Sequence, residues 1–277
     1  MDTDMYCTSV PSYNTMELDE LPFWSSAFGL ELLDRMVYKP KLRVLDIGCG
    51  TGFPMLEVAM RLGGEAMVYG LDPNAQALKL ANAKARLLGI SSVHLLQAKA
   101  ESIPLPPNSI DIIISNNGLN NVTDISVVLD ECKRVLTTDG QLLFTYNTFN
   151  TFDLFYRVFE EVLSEMGLQA SINLMYEHIQ NKRPPLQPTL DLLSAKGFAV
   201  NTIDNHQFLY RFASGTAFFT HGFIRSAFYP SWHQLVPVDK ASAVFCSIEA
   251  RLNQLAKENT GISMPVPFVV VHCRLKN

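Results

Sequence analysis

The sequence predicts an α/β fold: a doubly wound, mostly parallel, seven-stranded Rossmann-like sheet with its last strand antiparallel. Three observations carry this. Short β-branched runs alternate with amphipathic runs through the first half of the chain. A glycine-rich stretch, Val44–Pro54, stands between the first such strand and the first helix. Ile110–Ile114 is almost wholly apolar, as a strand covered on both faces must be.

The elements follow in order. Lys41–Ile47 is a strand that stops at Gly48, and Phe53–Leu62 has helical spacing and stops at Gly63-Gly64. Ala66–Leu71 is the second strand. Asn74–Leu88 is a helix with Leu78, Ala81, Ala85 and Leu88 on one face, closed by Gly89. Ser92–Leu96 and Ile110–Ile114 are the third and fourth strands. Ile125–Leu136 is a helix, and Gln141–Tyr146 is the fifth strand. Beyond it, 147–177 reads as one long helix and Asp191–Lys196 as a short one leading into a strand at Phe198–Ile203. Ala217–Phe228 and Ala241–Lys257 are helical, and Val266–Arg274 is the last strand. Such alternation implies right-handed crossovers, with ligands beyond the carboxyl ends of the strands. The whole chain, 1–277, reads as one domain. An N-terminal helical segment spans about 1–37, and helical insertions at about 147–190 and 210–260 form a substrate lid.

Composition narrows the function classes. Of 277 residues, 48% are hydrophobic and 18% charged, an ordinary globular balance, and the net charge of -5 gives no footprint for nucleic acid. No run is long enough to span a bilayer, and the acidic start MDTDMYCTSV is not a secretion signal. The five cysteines include no Cys-x-x-Cys pair, so neither a disulfide framework nor a zinc site is expected, and a reduced cytoplasmic protein is the simplest reading.

The stretch Asp46-Ile-Gly48-Cys49-Gly50-Thr-Gly52 needs closer reading. Glycines there permit positive φ and close approach of a ligand to the backbone. A dinucleotide loop would read Gly-x-Gly-x-x-Gly and rest a pyrophosphate on the helix N-terminus. Here the spacing is Gly-x-Gly-x-Gly, and Asp46 would repel a pyrophosphate while favouring a cation such as an ammonium or sulfonium. An NAD-dependent oxidoreductase is therefore the weaker reading.

This stretch resembles the first motif of class I S-adenosylmethionine-dependent methyltransferases. From about Leu42 to Tyr146 the chain is similar to their small-molecule, ubiquinone/menaquinone-biosynthesis-like branch. The resemblance implies S-adenosylmethionine as cofactor, with S-adenosylhomocysteine as product. It implies a cofactor site of Asp46, Gly48, Cys49, Gly50 and Gly52 on the first loop, and Asp72 and Pro73 after the second strand. Lys99, Ala100 and Glu101 follow the third strand, and Asn116 and Asn117 the fourth. Asp72 would accept the ribose hydroxyls, or else cap the next helix. Glu101 would flank the adenine, or else be a solvated loop charge. Asn121 stands where many relatives carry His.

Methyl transfer is an in-line displacement, served mainly by proximity and orientation. A base is needed only if the acceptor must lose a proton. The candidates are His178, His221, His233 and Tyr13, and no metal ligands are expected. The aromatics of the N-terminal segment and the insertions (Phe23, Trp24, Phe28, Phe152, Tyr156, Tyr210, Phe228, Trp232 among them) would line a pocket for a small, apolar or aromatic acceptor, or else pack as helix cores. The alternative function is a non-catalytic S-adenosylmethionine-binding protein or partner subunit.

Overall fold

The computed structural model describes residues 23–276. It contains a seven-stranded sheet in the order β3-β2-β1-β4-β5-β7-β6. The strands are β1 (Arg43–Ile47), β2 (Met67–Leu71), β3 (Val93–Leu96), β4 (Ile110–Asn116), β5 (Leu136–Asn147), β6 (Phe198–Phe212) and β7 (Ile262–Leu275). β1 to β5 pair in parallel, and β7 runs antiparallel to β5 from Gln141↔Arg274 to Asn147↔Phe268. The doubly wound architecture expected from the sequence is the one observed.

The chain divides into two compact units. The larger comprises Pro22–Asn147, Pro185–His206 and Phe268–Asn277. Its helices are α1 (Phe23–Arg35), α2 (Met55–Leu62), α3 (Ala75–Leu87), α4 (Ile125–Val135) and, after the two helices of the other unit described below, α7 (Leu186–Ala195). Side chains alternate across β1. Val44 joins Val68, Ile112, Ile114 and Leu143 in a core that α1, α2 and α3 cover. Leu45 and Ile47 join Leu71, Ile113, Leu142 and Phe144 in a second core under α4 and α7. Both faces of the central strands are thus buried, which is why β4 is apolar at Ile110, Ile112, Ile113 and Ile114. Asn74 caps α3 by accepting from the N–H groups of Gln76 and Ala77, and Asp124 caps α4 in the same way.

The second unit contains Thr148–Pro184 and Gln207–Pro267. Its helices are α5 (Asp153–Glu165), α6 (Gln169–Lys182), α8 (Gly215–Thr220), α9 (Tyr229–His233) and α10 (Val238–Asn259), with a π turn at Ile224–Phe228. The single helix expected over 147–177 is two helices, because Gly167 at φ +68° turns the chain between α5 and α6. The helix expected at Ala217–Phe228 breaks after Thr220, and β6 extends nine residues past the expected Ile203, to Phe212. Alternating exposed and half-buried residues carry β6 on, a pattern of period two that the sequence reading cut short.

The aromatics of this unit form its core. Trp232, Phe152, Phe155, Phe159, Phe218 and Phe245 are all fully buried. Trp232 stacks on Phe155 with ring centroids 4.0 Å apart, and its indole N–H donates to the Tyr156 hydroxyl at 3.0 Å. These rings fill space against one another, so packing rather than pocket lining is their observed role. Phe152 sits at φ 61°, a conformation rare for a bulky residue, and its N–H donates to the Pro265 carbonyl at 2.9 Å.

Candidate functional site

The loop after β1 holds three glycines, all at positive φ: Gly48 (75°), Gly50 (52°) and Gly52 (114°). They do different work. A Cβ on Gly48 would stand 2.9 Å from the α-carbon of Gly118, and one on Gly118 would stand 2.3 Å from the Ile47 carbonyl oxygen. These two positions let the loops after β1 and β4 touch backbone to backbone. Gly52 packs against Leu56. Gly50 alone of the three faces open space, with no atom within 4 Å of where a Cβ would be. It is the place on this loop where a ligand can reach the backbone. The Gly48 and Cys49 N–H groups donate to the Leu71 carbonyl at 2.8 and 3.2 Å, which pins the loop to the end of β2.

Asp46 lies beneath this loop, fully buried, and neither of its carboxylate oxygens has a hydrogen-bond partner. Burial pushes its pKa up to about 8; the Met55 backbone N–H at the start of α2, near the carboxyl but not in full hydrogen-bond geometry with it, partly offsets this, and the charge of Asp72 adds to it. An unpaired buried carboxylate is costly unless something cationic completes it. Cys49 is also buried, and desolvation with the Asp46 and Asp72 charges holds its thiol protonated, far from a nucleophile.

Asp72 ends β2. One oxygen accepts the Gly50 N–H at 3.0 Å and the other the Asn74 N–H at 2.8 Å. The helix cap is therefore Asn74, and Asp72 instead braces the glycine loop. Each Asp72 oxygen retains a lone pair for a further donor, such as a sugar hydroxyl. Pro73 and Lys99 are exposed, and Ala100 is buried. Glu101 accepts the N–H groups of Thr123 and Asp124 through Oε1, at 2.8 and 3.3 Å, ahead of α4. Its pKa is lowered: burial alone would raise it, but these backbone donors and Lys99 outweigh that.

After β4, the Ser115 hydroxyl donates to the Ile47 carbonyl at 2.8 Å and accepts the Leu119 N–H at 3.1 Å. The Asn116 amide donates to the Ser25 carbonyl at 2.9 Å, tying α1 to this strand end. Asn117 stands at φ 59°, and its N–H donates to the Thr145 hydroxyl, which lies 3.1 Å from Asn116 Oδ1 and 3.2 Å from Asn117 Oδ1. Asn121 is exposed and donates to the Asn117 carbonyl.

The sequence reading passed over several residues here. Thr145 on β5 sets both asparagines, and Lys84 on α3 donates to the Thr51 carbonyl at 2.8 Å. Asn120, in the turn Leu119–Asn121 after β4, and Asn147, the last residue of β5, each bury a side-chain carbonyl oxygen without a partner. Position at the carboxyl end of a strand was the available signal for these.

The three histidines named as base candidates all belong to the second unit. Tyr13 falls outside the described residues. His178 on α6 is half-buried, and desolvation with the charges of Arg183 and Lys182 lowers its pKa to about 4. The His221 ring lies 3.4 Å from the Tyr210 hydroxyl, and desolvation lowers its pKa too. The His233 ring stacks on Phe245, 7° from parallel. Among the described residues, no group of three His, Cys, Asp or Glu side chains is placed to hold a metal ion, and no helix is long and apolar enough to cross a membrane.

Residues 38–200 match the model of a family described as a methyltransferase domain, Methyltransf_31. The chain belongs to this methyltransferase family. Demethylmenaquinone methyltransferase of Geobacillus kaustophilus is 36% identical over 110 residues, 40% of this chain and 47% of that one. Ubiquinone/menaquinone biosynthesis C-methyltransferase UbiE of Shewanella frigidimarina is 35% identical over 134 residues, 47% and 53% of the two chains. The methyltransferase chain thus spans about half the length of the curated relatives it matches. Among solved structures, the YcgJ protein of Bacillus subtilis superposes with a TM-score of 0.58 at 18% identity, over 91% of this chain and 99% of that one. The [4+2]-cyclase SpnF gives 0.54 at 18% identity, over 90% and 81%. At such identities the likeness shows the fold, and the second name shows that this fold hosts more than one chemistry.

Proposed function

We propose that this methyltransferase-family chain transfers a methyl group from S-adenosylmethionine to a small-molecule acceptor. The observation that carries the proposal is the dry, unpartnered Asp46 carboxylate beneath the one open glycine of the loop. A pyrophosphate would meet repulsion at this place, whereas the cationic amino-acid end of S-adenosylmethionine supplies what Asp46 lacks. Asp72 has acceptor capacity left for ribose hydroxyls, and Gly50 leaves the backbone bare for close approach. When bound, the cofactor's sulfonium supplies an activated methyl group. The chain's own residues hold it: Asp46 through charge, Asp72 through hydrogen bonds, and the Gly48–Gly118 contact by fixing the two loops as one surface. The Ser115–Gly118 turn, braced by Thr145, provides the neighbouring rim.

The named relatives act in menaquinone and ubiquinone biosynthesis, so quinol-type rings are the first acceptor class to test. The second unit, with α5, α6, α8, α9 and α10, supplies acceptor recognition in this reading, which is the lid role expected of the insertions. Equilibrium dialysis with S-adenosylmethionine, S-adenosylhomocysteine and NAD tests the cofactor. Methyl transfer to quinols, phenols, amines, thiols and carboxylates then tests the reaction. Failure to bind either adenosyl compound sinks the proposal, and binding without any turnover across the panel favours a partner-subunit role.

Two smaller predictions arise here. Gly50→Ala places an L side chain in the left-handed region and is expected to cost about 1–2 kcal/mol of stability. Gly89 is also at positive φ (67°) and open, at the far end of α3, so Gly89→Ala should cost a similar amount. Only Gly50→Ala should also weaken S-adenosylhomocysteine binding, by tenfold or more, as read by titration calorimetry. The second concerns His178. Held near 4, it is neutral through the physiological range, so His178→Ala should leave the shape of the pH–rate profile between pH 6 and pH 8 unchanged. An inflection present in the parent and absent in the variant would restore it as a base.

A further inference from the structure

β3 is the edge strand of the sheet in the larger unit, and among the described residues no strand pairs with its free side. The Val68 N–H donates to the Ser92 carbonyl, and the Asp72 N–H to the Leu96 carbonyl. Backbone direction alternates along a strand, so Val93 and Leu95 turn their N–H and carbonyl groups outward, away from β2. Beside this edge lies an open groove of about 750 Å³, wholly within the same unit. α3 forms one wall of it and Val93–Gln97 the other.

The groove is chemically one-sided. Lys79, Asn82 and Arg86 stand exposed along the α3 wall, at helical positions i, i+3 and i+7. Neither Lys79 nor Arg86 forms an ion pair among the described residues. No aspartate or glutamate is among the lining residues, and Leu78, Ala85 and Ile90 supply apolar surface between the cations and the strand. Edges kept free of partners commonly carry a charge or a proline on the strand itself. β3 reads Val-His-Leu-Leu, and the nearby charges stand on the helix instead. A second copy of the chain fits this edge poorly, because pairing two such edges about a two-fold axis sets the same cations against each other.

An extended segment laid along β3 divides its side chains between two faces. One face meets the α3 wall. The other meets the opposite side of the sheet, where Tyr69 and His94 are register partners with ring centroids 5.4 Å apart. Side chains at alternate strand positions stand about 7 Å apart. Lys79 and Arg86 are about 10 Å apart along the helix axis, a difference their flexible stems take up.

We infer that the free edge of β3 takes an extended acidic segment of another protein, which joins the sheet as an eighth strand. Its carboxylates, at alternate positions, meet Lys79 and Arg86. Its backbone pairs with the outward groups of Val93 and Leu95, and the residues between the acids are apolar and cover Tyr69.

The test uses the full chain, nitrogen-labelled for magnetic resonance. The probe is acetyl-Glu-Val-Glu-Val-Glu-amide. It is set against its Lys-Val-Lys-Val-Lys counterpart, the acidic peptide methylated at every backbone nitrogen, and glutarate. The acidic peptide is expected to bind at least tenfold more tightly than each of the other three. Hydrogen exchange at the Val93 and Leu95 N–H groups should slow at least tenfold when it binds. The double variant Lys79→Glu, Arg86→Glu should melt as the parent does, since both side chains are exposed, and should prefer the lysine peptide. Equal binding of the acidic and lysine peptides overturns the inference, as does undiminished binding of the methylated peptide or glutarate. An acid preference that survives in the double variant overturns it too. So does binding that leaves the two N–H groups unprotected, or no binding at all. Protection already present without peptide also overturns it: if it rises with protein concentration, a second copy holds the edge, and if it does not, residues of the same chain do.

Discussion

Replacing Asp46 with Asn is expected to make the ligand-free protein more stable at neutral pH while weakening S-adenosylmethionine binding by ten- to a hundredfold. The first half follows from linkage. In the unfolded chain this carboxyl ionises at an ordinary value near 3.8, but in the folded chain it keeps its proton to about 8. The folded state therefore binds the extra proton across that window, and stability falls as pH rises through it. Each unit of difference is worth about 1.4 kcal/mol. Between pH 5 and pH 8 the asparagine variant should gain about 3.5 kcal/mol on the parent, with the gap levelling off about one unit above the folded-state pKa. Urea melts at several pH values measure this directly, and parallel curves for the two proteins would contradict it. The second half follows from charge. A carboxylate paired with an ammonium is worth about 1.5–3 kcal/mol, and a neutral amide keeps little of that. Because the bound cation favours ionised Asp46, binding at pH 7 should also release a proton in the parent and not in the variant. Calorimetry in buffers of different ionisation enthalpy reads that release.

Trp232→Ala is expected to cost about 3–5 kcal/mol of folding stability. The indole is fully buried, stacks on Phe155 and lies 5.9 Å from Phe218 between centroids. Its removal leaves a large void and strips the Tyr156 hydroxyl of the donor it accepts from. Trp232→Phe should cost less, since a ring remains to fill most of the space, but the hydrogen bond is still lost. Chemical denaturation followed by far-ultraviolet circular dichroism separates the two variants. A loss below about 1 kcal/mol for the alanine variant would mean the core closes over the gap far more completely than such cores do.

The first half of the chain was legible because its signals are local. Gly48, Gly50 and Gly52 announce a turn by residue type alone, and Ile110–Ile114 announces a doubly covered strand. The strands at β1, β2 and β3 accordingly sit within a residue or two of where periodicity puts them. The second half was less so. Phe152, Phe155 and Phe159 mark a helical face, but nothing in their spacing says whether that face meets a ligand or another ring. Only the burial of Trp232 against them answers that. At the site, the loop glycines and Asp72 were found from spacing. Thr145, Lys84 and Asn147 were not, because each acts through a contact with a residue distant in sequence. Asp72 shows the limit most clearly: its place after β2 was evident, while its hold on the Gly50 N–H is a matter of three dimensions.

The contact between Gly48 and Gly118 has a mechanical consequence. No side chain intervenes, so there is no rotamer to swing and no soft layer to absorb a displacement. A shift of one loop by a few tenths of an ångström must be passed to the other at nearly full amplitude. The two strand ends therefore behave as a single stiff hinge plate, and whatever grips one side of it repositions the other.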